Sequence, residues 1–402
     1  MSSASHPPDF LASGHARDYH IPSTMRQWTT ALDGFEKLRM EEQVPIPVPG
    51  DGEVLVKIHA VGLNLRDVQV CNGQYTYPLQ DQHQHHQHQQ QQQQQQQKVP
   101  IVPCSDMCGT VIQSNSNPLR PGTRVASIFL QSHLQGPLQQ DHLSSALGLP
   151  LPGVLTEYRV FPAPCLVRIP EYLSHDQAAC LPTSAVTAWN GLNWMRPLGQ
   201  HIGTSPPSSP SSPSKYVLLQ GTSDISLSAL QAAHAAGYKT ILTSPSDNAL
   251  QRATQDLGAD HAINSKTYWE WQEPVMNATG GLGADIIFFE TAGRPRTLRK
   301  SFESVAFGGT INCMGGLCGA MAGEPELHRL DVSELVLRRC VTMRGVVEGG
   351  KDRFEEMLGF YEEKQIRPVV DRVFGFDGAV DAMRYLGEGG RFGKVVVKVG
   401  GW

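Results

Sequence analysis

Apolar and polar residues alternate in short runs, bounded by proline and glycine, from Met25 to about residue 170. Residues 53–62 (EVLVKIHAVG), 123–129 (TRVASIF) and 155–162 (LTEYRVFP) read as β-strands on this pattern. From about residue 174 the rhythm changes to buried-type apolar runs separated by helical stretches. Residues 175–193 (HDQAACLPTSAVTAWNGLN) are helical in spacing, with Pro182 expected to interrupt them. The runs KYVLLQ, KTILTS, HAIN, ADIIFFE, GTINCMG and VTMRGV then recur as strands between helices. Such alternation predicts βαβ units and a doubly wound parallel sheet. Residues 367–399 return to strand, helix, strand, which predicts that the chain's end rejoins the first, β-rich unit.

Three segments carry no such pattern. Residues 1–24 are polar and irregular and form an extension; residues 80–98 are a Gln/His run; residues 203–214 are a Ser/Pro spacer. None has the apolar content to order itself against a core, so the last two read as insertions in surface loops, where extra length costs little. The 402-residue chain is long enough for two cores. With 40% hydrophobic and 18% charged residues and a net charge of −5, it has no electrostatic case for nucleic acid or an anionic membrane. No apolar run approaches the roughly 20 residues needed to span a bilayer, and the N-terminus lacks a secretory signal. The expected compartment is the cytoplasm. Eight cysteines show neither Cys-x-x-Cys pairs nor zinc-type spacing and read as free, packed thiols.

Chemistry is first suggested by residues 217–237 (VLLQGTSDISLSALQAAHAAG), a strand leading through a tight turn into a helix. Such a turn, with the positive end of the helix behind it, suits the pyrophosphate of a dinucleotide. Gly221 stands where the first glycine belongs, but Ser223 and Asp224 stand where two more would be expected. A serine hydroxyl can itself donate to phosphate, whereas a carboxylate either competes with the pyrophosphate for the helix terminus or points away. Residues 290–295 (ETAGRP) and 313–319 (CMGGLCG) place Gly293, Gly315 and Gly316 after strands, at the edge where ligands bind. The second strand of the repeat ends in Thr243 and Ser244 with no acid to grip a ribose diol. Arg252 follows, free to meet a 2′-phosphate or to lie on the helix surface, and Asp247 reads as a helix cap. NADP(H) is therefore favoured over NAD(H).

The stretches VLVKIHAVGLNLRDVQVCNGQY, GVLTEYRVFP, LPTSAVTAWNGL, LGADHAIN and GRFGKVVV, taken in order, resemble the medium-chain dehydrogenase/reductase superfamily, in its zinc-independent quinone-oxidoreductase-like and enoyl-reductase-like branch. The resemblance runs from Met25 to Val399 apart from the two insertions. It implies a GroES-like catalytic domain (25–173), a Rossmann domain (174–365) and a return to the first domain (366–402), with the active-site cleft between them. It also implies site residues. Asn64 and Asp67 of the NLRD turn would organise cofactor and active-site water, and Tyr75 would stand near the substrate. Thr187 would reach the nicotinamide carboxamide. Gly221, Thr222, Ser223 and Ser226 would form the phosphate turn; Ser244, Arg252 and Asn264 would lie along the adenosine side; Phe392, Gly393 and Lys394 would complete the cofactor cleft. Simpler roles stand beside these: a helix cap for Asp67, a packed aromatic for Tyr75, a backbone-bonded helix threonine for Thr187.

Zinc-using relatives carry a cysteine in the region of Asn64 and a His-Glu pair at Ser105 and Asp106, so the resemblance implies no zinc. The expected activity is NADPH-dependent hydride transfer to an activated alkene or a quinone. A zinc-independent alcohol or aldehyde oxidoreductase and a non-catalytic scaffold with a degenerate cofactor turn are the alternatives. The expected partner is a small molecule, and a homodimer is the expected assembly by family analogy alone.

Overall fold

The computed structural model describes residues 20–75, 100–116, 118–204, 214–289, 295–315 and 330–400. The Gln/His run, most of the Ser/Pro spacer, Gly293 and Gly316 lie outside the described residues.

Two sheets carry the chain, as the change of rhythm predicts. The first is mainly antiparallel, in the order β14-β15-β3-β4-β5-β7 with β6 also paired to β3. Its strands are β3 (Glu53–Leu63), β4 (Asp106–Ser114), β5 (Arg124–Ser127), β6 (Tyr158–Pro162), β7 (Leu166–Arg168), β14 (Val370–Gly375) and β15 (Lys394–Lys398); β1 (Thr24–Thr29) and β2 (Arg39–Pro45) pair beside it. Helices α1 (Leu65–Cys71) and α10 (Ala379–Glu388) cover this unit. This is the GroES-like sheet.

The second sheet is the parallel, Rossmann-type one, ordered β10-β9-β8-β11-β12-β13. Its strands are β8 (Tyr216–Gln220), β9 (Lys239–Ser244), β10 (His261–Asn264), β11 (Ala284–Phe289), β12 (Val305–Cys313) and β13 (Thr342–Gly345). The order reverses between β8 and β11, which opens a crevice at their carboxyl ends. The helices are α4 (Asp224–Ala235), α5 (Asp247–Leu257), α6 (Gln272–Ala278), α7 (Pro295–Ser304), α8 (Val332–Arg338) and α9 (Lys351–Lys364).

Between the sheets, residues 175–192 behave as Pro182 requires. A short α2 (His175–Ala178), capped by Ser174 and Gln177, gives way to a wide π-type turn (Leu181–Ala185) before α3 (Val186–Leu192) resumes. A proline cannot donate to the preceding turn, so the ladder shifts by one residue there. The turn points the side chains of Thr183 and Ser184 toward the crevice.

Register fixes what meets at the crevice. Strand β3 pairs with β6 through residues 53–57 and with β15 through residues 60–63. Leu63 opposite Val395 sets Asn64 beside Lys394, and Gly62 opposite Asp106 brings the acid to the same end. Gly62 is needed here, because a Cβ would lie 2.2 Å from the Ala179 carbonyl and 3.1 Å from the Lys394 side chain.

Candidate active site

Lys394 is 1% exposed and its ammonium has four oxygen neighbours. They are Asn64 Oδ1 at 2.6 Å, Ser184 Oγ at 2.7 Å, Asp224 Oδ2 at 2.8 Å and Asp106 Oδ2 at 3.2 Å. Asp106 also accepts from Ser105 Oγ at 2.9 Å, Thr183 N at 3.2 Å and the Thr183 hydroxyl, and Ser184 Oγ donates to Asp224 Oδ2 at 2.5 Å. The set draws on α1, β4, the π-type turn, the start of α4 and β15, so it joins both sheets. Burial works against the ammonium, but Asp224 and Asp106 outweigh it and hold Lys394 well above the usual lysine range. Burial also raises the Asp224 carboxyl, yet Lys394, Arg391 and Ser184 bring it below the usual carboxylate range.

Asp224 therefore neither points outward nor lies open to a phosphate. Its carboxylate turns back onto Lys394. Ser223 is the N-cap of α4, its hydroxyl accepting from Ser226 N at 3.2 Å. Gly221 has φ of 106°, its N–H donates to Thr243 O at 2.8 Å, and a Cβ there would meet nothing within 4 Å. The turn thus has the backbone form and the open space that a pyrophosphate requires. Thr222 is tied across the crevice: its hydroxyl donates to Arg391 O at 3.3 Å and its carbonyl accepts from Gly393 N at 3.4 Å. Gly315, also at positive φ (104°), lies at the end of β12.

After β9, Ser246 caps α5, a role the sequence pattern suggests for Asp247. Asp247 instead accepts from Asn264 Nδ2 at 2.5 Å. Ser244 is buried and its hydroxyl accepts from Ser246 N at 3.3 Å. The Arg252 guanidinium stacks 4.1 Å over the ring of buried Phe392, so it is a fixed cation at the crevice rather than a loose surface arginine. Thr187 Oγ1 donates to Val347 O at 3.0 Å, which ties α3 to the segment after β13; its bond is not to its own helix.

Asp67 does serve as a cap, through Oδ2 accepting Asn64 N at 2.8 Å. It is wholly buried, and its Oδ1 has no hydrogen-bond partner. Burial, partly offset by the Asn64 N–H and by Arg66, pushes its carboxyl up to about 7. Tyr75 lies against Arg66, whose guanidinium is 4.4 Å from the Tyr75 ring and 4.9 Å from that of Phe129. Arg66 is anchored by the carbonyls of Leu147 (3.0 Å) and Leu149 (2.6 Å).

The positions where relatives carry zinc ligands hold an amide, a hydroxyl and a carboxylate, all turned toward one another or toward the Lys394 ammonium. Among the described residues, no three His, Cys, Asp or Glu side chains gather as a metal site. Cys104 and Cys108 are buried, and burial pushes the Cys108 thiol up to about 12. Cys108 has an imidazole beside it, that of His175, with Sγ···Nδ1 of 3.4 Å.

Sequence reasoning did not find Ser184, Asp106 as a partner of Lys394, or the Arg66 stack. The available signal was Asp224 itself. A carboxylate in a glycine's place at a buried helix start demands a cation, and Arg391 and Lys394 are among those in the segment that returns to the crevice.

Two family models match the chain: an alcohol dehydrogenase GroES-like domain over residues 50–171 and a zinc-binding dehydrogenase over residues 225–363. A zinc-type alcohol dehydrogenase-like protein of Schizosaccharomyces pombe is 34% identical over 371 residues, 92% of this chain and 97% of its own length. A 2-methylene-furan-3-one reductase of Solanum lycopersicum is 25% identical over 387 residues, 94% of this chain and 80% of its own. The crystal structure of an NAD-dependent alcohol dehydrogenase superposes with a TM-score of 0.73 at 29% identity, covering 94% of this chain and 100% of that one.

Proposed function

The chain belongs to the medium-chain dehydrogenase/reductase superfamily, as an NAD(P)-dependent oxidoreductase of the alcohol-dehydrogenase-like type, and from that premise we propose that it is a zinc-independent, NADPH-dependent reductase of activated alkenes or quinones. The observation that carries the proposal is the ammonium of Lys394 set among Asn64, Asp106, Ser184 and Asp224. Around it the residues at zinc-ligand positions are committed to a cation belonging to the chain, so a substrate alkoxide finds no free ligand set for a Lewis acid. The Solanum lycopersicum relative is a reductase of a 2-methylene-furan-3-one, an exocyclic enone, which agrees with hydride transfer to an activated double bond.

The cofactor residues fit a dinucleotide at the open Gly221 turn. Thr222, Ser223 and Ser226 and the start of α4 would hold its pyrophosphate, Ser244, Arg252 and Asn264 the adenosine half, Thr187 and Gly315 the nicotinamide half. A bound reduced nicotinamide supplies the hydride. Arg252, fixed on Phe392, offers a guanidinium for a 2′-phosphate, which favours NADPH. Tyr75 and Arg66 present a phenol and a cation near Phe129, and a substrate carbonyl lying there would be polarised by them.

Titration of intrinsic fluorescence, with buried Trp189 on α3 as reporter, is expected to give saturable NADPH binding, tighter than NADH. Addition of an enone or quinone is then expected to consume the dihydronicotinamide absorbance. No binding of either cofactor at millimolar concentration, unrescued by Asp224→Gly, would overturn the reading and leave the scaffold alternative. Tighter NADH binding with turnover of alcohols alone would favour the alcohol–aldehyde reading, to which the likeness to the NAD-dependent alcohol dehydrogenase structure points.

A further inference from the structure

The turn after β8 carries a carboxylate, and the other unit supplies the charge that answers it. Asp224 is the first residue of α4, directly after the Gly221 turn and the Ser223 cap. The unpaired N–H groups and positive end of a helix make its first turn attractive to phosphate. A free carboxylate in that turn takes the attraction away. Lys394 reaches Asp224 from β15 of the GroES-like unit, Nζ to Oδ2 at 2.8 Å.

The way Lys394 is held decides what it can do. An ammonium has three hydrogens to give. Asn64 Oδ1 at 2.6 Å, Ser184 Oγ at 2.7 Å and Asp224 Oδ2 at 2.8 Å take them, with Asp106 Oδ2 a fourth neighbour at 3.2 Å. None is left for a ligand. The stem is packed against Gly62, where a Cβ would lie 3.1 Å from Lys394 Cε, so the ammonium cannot swing out to a phosphate without breaking the set. The two acids differ in support and in access. Asp106 also accepts from Ser105 Oγ and Thr183 N, and none of its side chain is exposed. Asp224 accepts from Ser184 Oγ besides the ammonium, and 14% of its side chain is exposed. Arg391 acts on Asp224 as well, from a guanidinium that donates to Leu386 O at 3.1 Å.

We propose that Lys394 is a positioning residue for the dinucleotide: it does not touch the cofactor, and it opens the Gly221 turn to a pyrophosphate by neutralising Asp224 and holding its carboxylate aside. The inference rests on the reading that a dinucleotide lies on that turn. The place in the cofactor cleft that the family resemblance implies for Lys394 is then an indirect one, exerted through Asp224. It also makes cofactor affinity depend on a contact between the units. The turn belongs to the Rossmann-type unit, and the charge that frees it belongs to the GroES-like unit.

Two double variants with the same change in buried charge test this. Lys394→Met with Asp106→Asn leaves Asp224 as the charged member of the set, whereas Lys394→Met with Asp224→Asn leaves Asp106. Each is titrated with NADPH and with NADH, followed by intrinsic fluorescence. The first should bind both more weakly than wild type by on the order of ten- to a hundredfold, the effect of one unanswered charge close to a phosphate near a protein surface. The second should bind both nearly as the wild type does. The gap between the variants should narrow as salt is raised. Adenosine 2′-phosphate, which lacks the pyrophosphate, should bind the two alike. Asp224→Asn alone keeps the ammonium paired with Asp106 and should leave both affinities close to wild type; marked tightening would show an unscreened carboxylate and overturn the proposal. That single variant decides the matter should a double variant not fold. Equal weakening in the two double variants would make Lys394 a direct ligand or a structural brace, and wild-type affinity in both would make it irrelevant to the turn. Either result overturns the proposal, as does a gap that extends to adenosine 2′-phosphate. A wild-type protein that binds neither NADPH nor NADH would instead sink the cofactor reading, and the proposal with it.

Discussion

Two buried charges decide most of what this site can do. Lys394 is almost wholly enclosed and neutralised by Asp106 and Asp224, so removing it strands two carboxylates at once. Lys394→Met is expected to cost about 3–5 kcal/mol, measured by chemical denaturation. Asp224→Gly should cost less, because Asp106, Asn64 and Ser184 stay with the ammonium. It should change NADPH and NADH binding little and by a similar factor, since its carboxylate is turned onto Lys394 and not toward the Gly221 turn. Unequal factors would show that Asp224 acts on the adenosine end instead. Asp67 makes a different prediction. Its folded-state value near 7 lies above the ordinary 3.8, so the folded state holds its proton more tightly than the unfolded chain. The associated stability is full below about pH 4 and lost as pH rises through about 7. Asp67→Asn, which keeps an oxygen for the Asn64 N–H, should therefore lose less stability between those values, by up to about 4 kcal/mol. Parallel pH profiles for the two proteins would contradict this.

At the scale of elements, the crevice is built from two turns that meet. The β8–α4 turn needs positive φ at Gly221, and the segment entering β15 needs it at Gly393 (φ 108°). The two glycines differ in what surrounds them. A Cβ on Gly221 meets nothing, whereas one on Gly393 lies 2.5 Å from the Val369 carbonyl. Gly221→Ala should cost roughly 1–2 kcal/mol of backbone strain and weaken cofactor binding. Gly393→Ala should cost more, and should disturb β15 and with it the position of Lys394. Equal melting temperatures for the two variants would argue that the Val369 carbonyl yields freely.

Across the whole molecule, the largest apolar cluster ignores the boundary between the sheets. It runs from Ala60, Cys108 and Val167 of the GroES-like unit through Trp189 to Leu219, Phe360 and Tyr361 of the Rossmann-type unit. A continuous core of this kind favours one cooperative unfolding transition and holds the polar networks of the crevice in fixed register. It also fixes the chemistry at the zinc-ligand positions, since Asn64, Ser105 and Asp106 cannot be regrouped without moving β3 against β4. The purified protein is accordingly expected to carry no stoichiometric zinc. The measurement is metal content in a variant lacking residues 80–98, whose histidines could bind zinc themselves. One tightly held zinc per chain, with activity lost on chelation, would overturn that expectation.

Local pattern was enough for the architecture. A change from period-two runs to strand–helix alternation near residue 174 separates the two sheets, because side-chain periodicity is set by backbone geometry that each segment carries within itself. Pro182 likewise announced the break in the connecting helix, and the tight turn at Gly221 was legible from the glycine and the helix behind it. Strand β4 was not legible, since it is buried on both faces and its residues do not alternate. Pairings were beyond reach for a related reason. Whether Asp224 faces solvent, a phosphate or a cation depends on Lys394, 170 residues away, and whether Asp106 meets Thr183 depends on how the two units close. Those contacts are set by strand register and by the shared core, which no local stretch of residues encodes. The sequence by itself determined which groups the chain brings to the crevice, and the tertiary structure decided which of them neutralise one another.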